Sequence, residues 1–307
     1  MDRGPQSTKP RLFTVAICTF NRADSLRKTL QSLVQMEQPD ELSWELLVID
    51  NNSSDHTPAV VEAFAQALPL RYLFHSAQGL SHARNRALKE FKGDYVVFTD
   101  DDVSVSEGWL RSYLHAVQND DDPGYAGGPI TPKWVDQKPA WLVDESMPLI
   151  GGVLGYYTLG TENRGYDETD MHPYGANCLL RKDTVNKVGQ FRVDLGVVGE
   201  TPGRGEEAEY FARVREAGIP GRYVACAEVF HRISYRDVSA RNLFRYGYQK
   251  GVSDRLRSGR KPEILASVRY ALTMLAKALY QFAIGKGQHA RQCLMHFGRV
   301  IGTLEQG

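Results

Sequence analysis

Short apolar runs alternate with amphipathic stretches along the first 120 residues. Residues 12–18, 44–49, 70–75 and 95–99 are compact, rich in β-branched and aromatic side chains, and are predicted as strands. After the first, Leu26, Leu30, Leu33 and Val34 recur at helical spacing, with Asp24 or Ser25 expected as cap. A second helix is expected to begin near Thr57-Pro58, where proline suits the first turn, and a third over residues 79–91 carries Arg84 and Arg86. Strands alternating with helices of this length predict an α/β fold, a mostly parallel Rossmann-like sheet flanked by helices.

Beyond a helix at 109–117 and a strand at 125–130 the pattern loosens. Residues 133–166 are rich in Gly, Pro and aromatics, among them Trp134, Trp141, Tyr156 and Tyr157. Aromatic faces suit sugar rings, and interior packing is the alternative use. Gly151, Gly152, Gly155, Gly160 and Gly165 would permit a lid over a bound ligand. Strands are expected at 174–181 and 223–227, with a helix between them that opens on Gly203-Arg204-Gly205-Glu206-Glu207-Ala208-Glu209. In the tail, Leu265, Val268, Leu272, Leu275, Leu279 and Phe282 define one apolar helix face. Leu294, Phe297, Ile301 and Leu304 suit a second helix.

The chain has 307 residues, and its 37 Lys and Arg balance 37 Asp and Glu, so the whole molecule is not built for nucleic acid. The balance is uneven: from Arg236 onward there are thirteen Lys or Arg against four Asp or Glu. The tail helices therefore either dock on the main domain or a dimer partner, or lie as a basic amphipathic element on an anionic membrane. Cys18, Cys178, Cys226 and Cys293 have no metal or redox spacing, and the first three are expected in the core. Without a hydrophobic leader or a long apolar run, the expected location is the cytoplasm, with the inner face of the cell membrane as the alternative.

The chemistry collects where strands end. In a parallel sheet, ligands bind beyond the carboxyl ends of the strands, so Thr19-Phe20-Asn21-Arg22, residues 50–55 and Asp100-Asp101-Asp102 should share one crevice. Three adjacent carboxylates repel one another unless a cation sits among them, and Mg²⁺ or Mn²⁺ bridging carboxylates to phosphates is the natural candidate. A solvated acidic turn is the plainer alternative. Asp50 can accept hydrogen bonds from a base or ribose, or simply close a turn. Arg84 can neutralise a phosphate, or be an exposed helix arginine.

Taken together, Thr19-Phe20-Asn21-Arg22, Val48-Ile49-Asp50-Asn51-Asn52-Ser53-Ser54-Asp55, residues 79–87 and Asp100-Asp101-Asp102 resemble the successive motifs of the family 2 glycosyltransferases of GT-A fold. The resemblance covers residues 12–235, after a flexible 1–11. It implies a nucleotide-binding half at 12–120 and an acceptor-binding half at 121–235, leaving 236–307 as a basic helical extension. It implies that Thr19, Phe20, Asn21, Arg22, Asp50 and Asn52 cradle the nucleoside and that Arg84 approaches the diphosphate. Asp100 and Asp102 match the acidic positions of the family's Asp-x-Asp motif, beside Asp101, with Asp102 the direct metal ligand.

Residues 174–181 resemble the family's Gly-x-Asn stretch, and Asn177 is expected on the acceptor side; Trp134 and Trp141 are candidates there as aromatic faces alone. Glu207 occupies the usual aspartate position of a Gly-Glu-Asp pattern and is the expected base, followed by Glu206 and then Glu209. His231 matches a position at which histidine completes metal coordination, and a structural histidine is the alternative. The implied reaction is metal-dependent, inverting transfer from a nucleoside-diphosphate sugar, uridine first, to a glycan or lipid-linked hydroxyl. A nucleotidyltransferase or a dehydrogenase should carry a Gly-rich loop after the first strand, and Thr19-Phe20-Asn21-Arg22 has no glycine. A scaffold that binds nucleotide sugar without turnover remains as the other alternative.

Overall fold

The computed structural model describes residues 11–38, 41–119, 122–146, 149–196, 205–258 and 263–304. Residues 1–10, Gly203 and Arg204, which figured in the sequence expectations, lie outside them. Strands β1 (Arg11–Thr19), β2 (Leu42–Asp50), β3 (Leu70–Phe74) and β4 (Tyr95–Asp100) alternate with helices α1 (Ala23–Gln35), α2 (Thr57–Ala63) and α3 (Leu80–Glu90). There follow β5 (Val103–Val105), α4 (Trp109–Asn119), β6 (Tyr125–Gly127), β7 (Ile130–Trp134), α5 (Ile150–Leu154) and β8 (Arg164–Gly165). The second half continues with β9 (Asn177–Arg181), α6 (Lys182–Val188), α7 (Glu206–Glu216), β10 (Gly221–Tyr223) and β11 (Val229–Ile233). Three long helices close the chain: α8 (Ala240–Ser258), α9 (Ile264–Ala283) and α10 (Gly287–Leu304).

The main sheet has the order β3-β2-β1-β4-β9-β6-β10-β8, and only β9 and β8 oppose the common direction. Successive side chains on a strand point to opposite faces, and both faces here are buried. Phe13, Val15 and Ile17 of β1, with Tyr95 and Val97 of β4, join the core under α1, α2 and α4. Ala16, Val96 and Phe98 join the core on the other face, with α3, α6 and α7. This explains why these strands read as continuous apolar runs rather than alternating ones. In register, Thr19 pairs with Asp50 and Cys18 with Asp100, so three strand ends finish side by side.

Several expectations are corrected. The strand expected at 95–99 is β4, ending at Asp100, and beyond the acidic turn an unforeseen strand, β5, starts a second sheet of order β5-β11-β7. The run 125–130 divides into β6 and β7, and 223–227 contributes only the end of β10. Neither Asp24 nor Ser25 caps α1. The carboxylate of Asp55 does so from another loop, accepting from the Ala23 N–H at 3.0 Å and also from the Thr57 N–H at 3.0 Å, at the start of α2. Cys226 is exposed rather than in the core.

The tail is helical, as expected, and its first basic stretch after Arg236 forms α8, packed against α10 through glycines. A Cβ on Gly251 would stand 1.8 Å from the Arg299 carbonyl oxygen, and one on Gly302 2.0 Å from that of Tyr248. A Cβ on Gly247 or Gly298 would likewise meet the opposite backbone, at 2.0 Å from the Met295 carbonyl oxygen and 2.4 Å from that of Phe244. Small residues four apart let two helix backbones approach this closely.

Candidate active site

The chain makes a cleft of about 630 Å³ at the carboxyl ends of β1 and β4. Asp100, Asp102, Arg22, Arg84, Glu207 and His231 all line it, together with residues of α8 such as Tyr246 and Lys250. A hollow of about 900 Å³ between α1, α2 and β5 is larger, but Glu107 is the one carboxylate among its lining residues. The grouped acidic chemistry is in the smaller cleft.

The acidic triplet is a tight turn with three different environments. Asp101 is buried, accepts from the Thr19 hydroxyl at 2.7 Å and pairs with Arg22 at 3.0 Å. Asp102 Oδ2 accepts from Arg22 Nη2 at 2.7 Å and faces His231 Nε2 at 3.4 Å, whereas Asp102 Oδ1 is buried with no hydrogen-bond partner. Burial and the neighbouring Asp102 push the Asp100 carboxyl up to about 7. Burial also raises Asp101 to about 6, against the opposing pull of Arg22. Asp102 is the exception: burial is outweighed by His231 and Arg22, which hold it well below the usual carboxylate range. His231 is correspondingly raised to about 9, Asp102 overcoming the effect of burial.

These residues are held from three elements. Arg232 reaches across from β11, with Nη1 2.5 Å from the Val103 carbonyl and Nη2 2.7 Å from the Thr29 hydroxyl and 3.2 Å from the Asp101 carbonyl. The pairing of His231 with Val103 in the small sheet sets the imidazole beside Asp102. Its Nδ1–H donates to the Leu154 carbonyl at 2.7 Å, so Nε2 is the nitrogen turned to the carboxylate. No local sequence pattern singles out Arg232, because its partners come from distant segments.

Divalent metal fits this corner. A lone buried carboxylate oxygen, a facing imidazole nitrogen and a backbone carbonyl fixing the far side of that imidazole are the pieces of a hard-cation site with its outer support. Among the described residues no group of three His, Cys, Asp or Glu side chains could hold an ion by itself. Asp102 and His231 would hold it, with Asp100 alongside, and phosphate oxygens and water would complete the shell.

Across the cleft, Arg84 is 3% exposed at its side chain and ion-paired twice, from Nη1 to Glu206 at 2.8 Å and from Nη2 to Glu207 at 2.6 Å. It is thus not an exposed helix arginine: it lines the cleft with both arms engaged by glutamates. The three glutamates separate by environment. The Glu206 side chain is 7% exposed, that of Glu207 21%, and Glu209 turns away to pair with Arg213 at 2.8 Å.

The remaining sequence candidates divide. Asp50 is fully buried and already accepts from Tyr72 Oη at 2.7 Å and the Ser53 N–H at 2.9 Å, which closes its turn. Asn21 and Asn52 both have left-handed φ and are exposed on adjoining loops, where the Asn21 side chain accepts from the Ser54 N–H; Phe20 beside them is half-buried. Asn177 is corrected: it is fully buried, accepts from Trp109 and Tyr113, and donates to the Pro129 and Ala227 carbonyls, so it braces the sheet rather than an acceptor. Trp134 and Trp141 are not brought to the cleft either. They pack in a third core between α5, α8 and α10, with Arg291 stacked 4.1 Å over Trp141.

Residues 14–189 match glycosyl transferase family 2. The chain is 29% identical over 211 residues to the succinoglycan biosynthesis protein ExoM of Rhizobium meliloti, covering 66% of this chain and 61% of that one. It is 29% identical over 250 residues to the pre-mycofactocin glycosyltransferase of Mycobacterium tuberculosis, covering 80% and 48%. The chain thus spans less than two thirds of the length of these curated relatives. Among solved structures, a Pyrobaculum calidifontis mannosyltransferase in complex with GDP-Man and Mn²⁺ superposes with a TM-score of 0.62 at 18% identity, over 98% of this chain and 88% of that one. GalNAc-T7 with UDP, GalNAc and Mn²⁺ gives 0.56 at 18% identity, over 79% and 48%. The fold is that of the GT-A glycosyltransferases.

Proposed function

The chain belongs to glycosyl transferase family 2, and from that premise we propose that it moves a sugar from a nucleoside diphosphate to a hydroxyl of a glycan or lipid-linked acceptor. The observation that carries the reading is the pairing of two groups across one cleft. On one side stand Asp102, with its partnerless buried oxygen, and His231; on the other stands Glu207, partly open to the same space.

In this reading the loops after β1 and β2 seat the nucleoside, with Asn21 and Asn52 at their exposed edge. Asp100 and Asp102 face the diphosphate side. Asp102 and His231 would hold a divalent cation, Mn²⁺ or Mg²⁺, which would supply positive charge to offset that of the departing diphosphate. Glu207 takes the proton of the acceptor hydroxyl as that oxygen bonds to the anomeric carbon. The bond from that carbon to the diphosphate oxygen breaks at the same time, and the diphosphate leaves with the electron pair. A single displacement inverts the anomeric centre. Arg84 holds the glutamate through Oε1, and no hydrogen bond engages Oε2 among the described residues.

A UDP-sugar is the first donor to test. With Mn²⁺ present, the wild-type chain should break down one of a panel of nucleotide sugars. Glu207→Gln should bind that donor with similar affinity and transfer at least about a hundredfold more slowly, the scale of general-base catalysis. Donor binding with no turnover by the wild type would favour a scaffold instead.

A further inference from the structure

Helix α9 is turned inside out relative to the rest of the chain. Its inner face, packed on α10, is Ala271, Met274 and Ala278, while its bulky residues point to solvent. Ile264 is 68% exposed, Leu265 85%, Leu272 61% and Leu279 64%, with Val268 and Phe282 also exposed. Leu265, Val268, Leu272, Leu279 and Phe282 fall three, four or seven residues apart and form one outward stripe, flanked by exposed Tyr270, Tyr280, Arg269 and Lys277. An apolar face this continuous on a polar-rimmed helix marks an interaction surface.

Charge decides what covers it. From Arg236 onward the chain carries thirteen Lys or Arg against four Asp or Glu, and α9 itself has no acidic residue. A second copy laid on the stripe would set Arg269 and Lys277 against more positive charge, with no acid on the helix to answer it. An anionic lipid surface satisfies both features, because the acyl boundary takes the leucines and the headgroups take the cations. Among the described residues no helix is long and apolar enough to cross a membrane, so the contact is one of lying on the surface. We propose that α9 docks this chain on an anionic phospholipid bilayer through the face of Leu265, Leu272 and Leu279. The proposal goes beyond the sugar-transfer reading and does not depend on it.

The test uses the full chain and vesicles of phosphatidylcholine, alone or mixed with phosphatidylglycerol, in co-sedimentation without any sugar donor. The chain should pellet with the mixed vesicles at least about tenfold more strongly than with phosphatidylcholine, on the scale of a few surface cations. Raising the salt should weaken this binding. The double variant Leu272→Ser, Leu279→Ser should lose it while keeping the wild-type melting temperature, and Arg269→Gln with Lys277→Gln should lose most of the preference for anionic lipid. Equal sedimentation with both vesicle types, or undiminished binding by the serine variant, would overturn the proposal. So would light scattering that shows a dimer dissociated by the serine variant, which would give the face to a second copy. Because no donor is present, a failure here leaves the transferase reading standing, and the reverse also holds.

Discussion

Arg84 Nη2 donates to Glu207 Oε1 at 2.6 Å from a position almost closed to solvent. The contact leaves no slack: a Cβ on Gly175 would stand 2.1 Å from that same Nη2 and 2.4 Å from that same Oε1. The second arm of the guanidinium holds Glu206, so one residue of α3 fixes the start of α7 against the sheet.

Removing Arg84 should therefore unfold more than it inactivates. Arg84→Met leaves buried Glu206 without its arginine, and losing one partner of a buried pair costs about 3–5 kcal/mol. Arg84→Lys keeps the charge but not the two-armed geometry, and should fall between wild type and Met. Urea denaturation midpoints check the order, and a methionine variant as stable as wild type would contradict it.

Asp102 and His231 should control the response to metal. Asp102→Ala or His231→Ala should raise the Mn²⁺ concentration needed for half-maximal donor breakdown by about tenfold or more. A chelator should abolish breakdown in the wild type and restore it on adding Mn²⁺. Calorimetric titration of Mn²⁺ with UDP present gives the same comparison without turnover.

Asp55 caps two helices at once, so its loss should be felt twice. Asp55→Ala should cost about 1–2 kcal/mol for the N-caps, and Asp55→Asn less, since an amide oxygen still accepts. Burial works against the charged form, but hydrogen bonds from Thr57 and the Ala23 N–H outweigh it and lower the Asp55 pKa below its ordinary 3.8. The unfolded chain therefore takes up the proton first. The advantage over Asp55→Asn should be complete above 3.8 and disappear as the pH falls through the lowered value. Denaturant unfolding of both proteins at a series of acid pH values measures it.

The glycines between α8 and α10 should resist any side chain. At Gly251 a Cβ would meet backbone rather than a movable side chain, so Gly251→Val should reach or exceed the top of the usual overpacking range of about 1–3 kcal/mol. Because α8 lines the cleft, the same variant should weaken donor binding in a thermal-shift titration with UDP-sugar, whereas an exposed change such as Lys286→Ala should not.

Local pattern was enough to read the first four strands, the three helices between them and the place where they end. Runs such as residues 44–49 are buried on both faces by neighbours close in the chain, so burial and sequence carry the same information there. The acidic triplet was equally visible, because a parallel sheet binds its ligands at the carboxyl ends of its strands and the triplet directly follows one. That logic failed for Asn177, Trp134 and Trp141. A polar residue at a strand start and two tryptophans in a glycine-rich stretch look the same whether they face a ligand or a core.

By itself, then, the sequence determined the alternating α/β order, the strand-end carboxylates and the basic character of the tail, since each follows from spacing or composition. Only the tertiary structure decided which partner each charge took: Arg84 on Glu206 and Glu207, Arg22 between Asp101 and Asp102, Asp55 at two helix ends. It also decided that Leu265, Leu272 and Leu279 of α9 face outward while Ala271, Met274 and Ala278 face in. The physical reason is common to all of them. An ion pair or a buried face depends on which distant segments meet, and periodicity along a chain records only which side of its own element a residue is on.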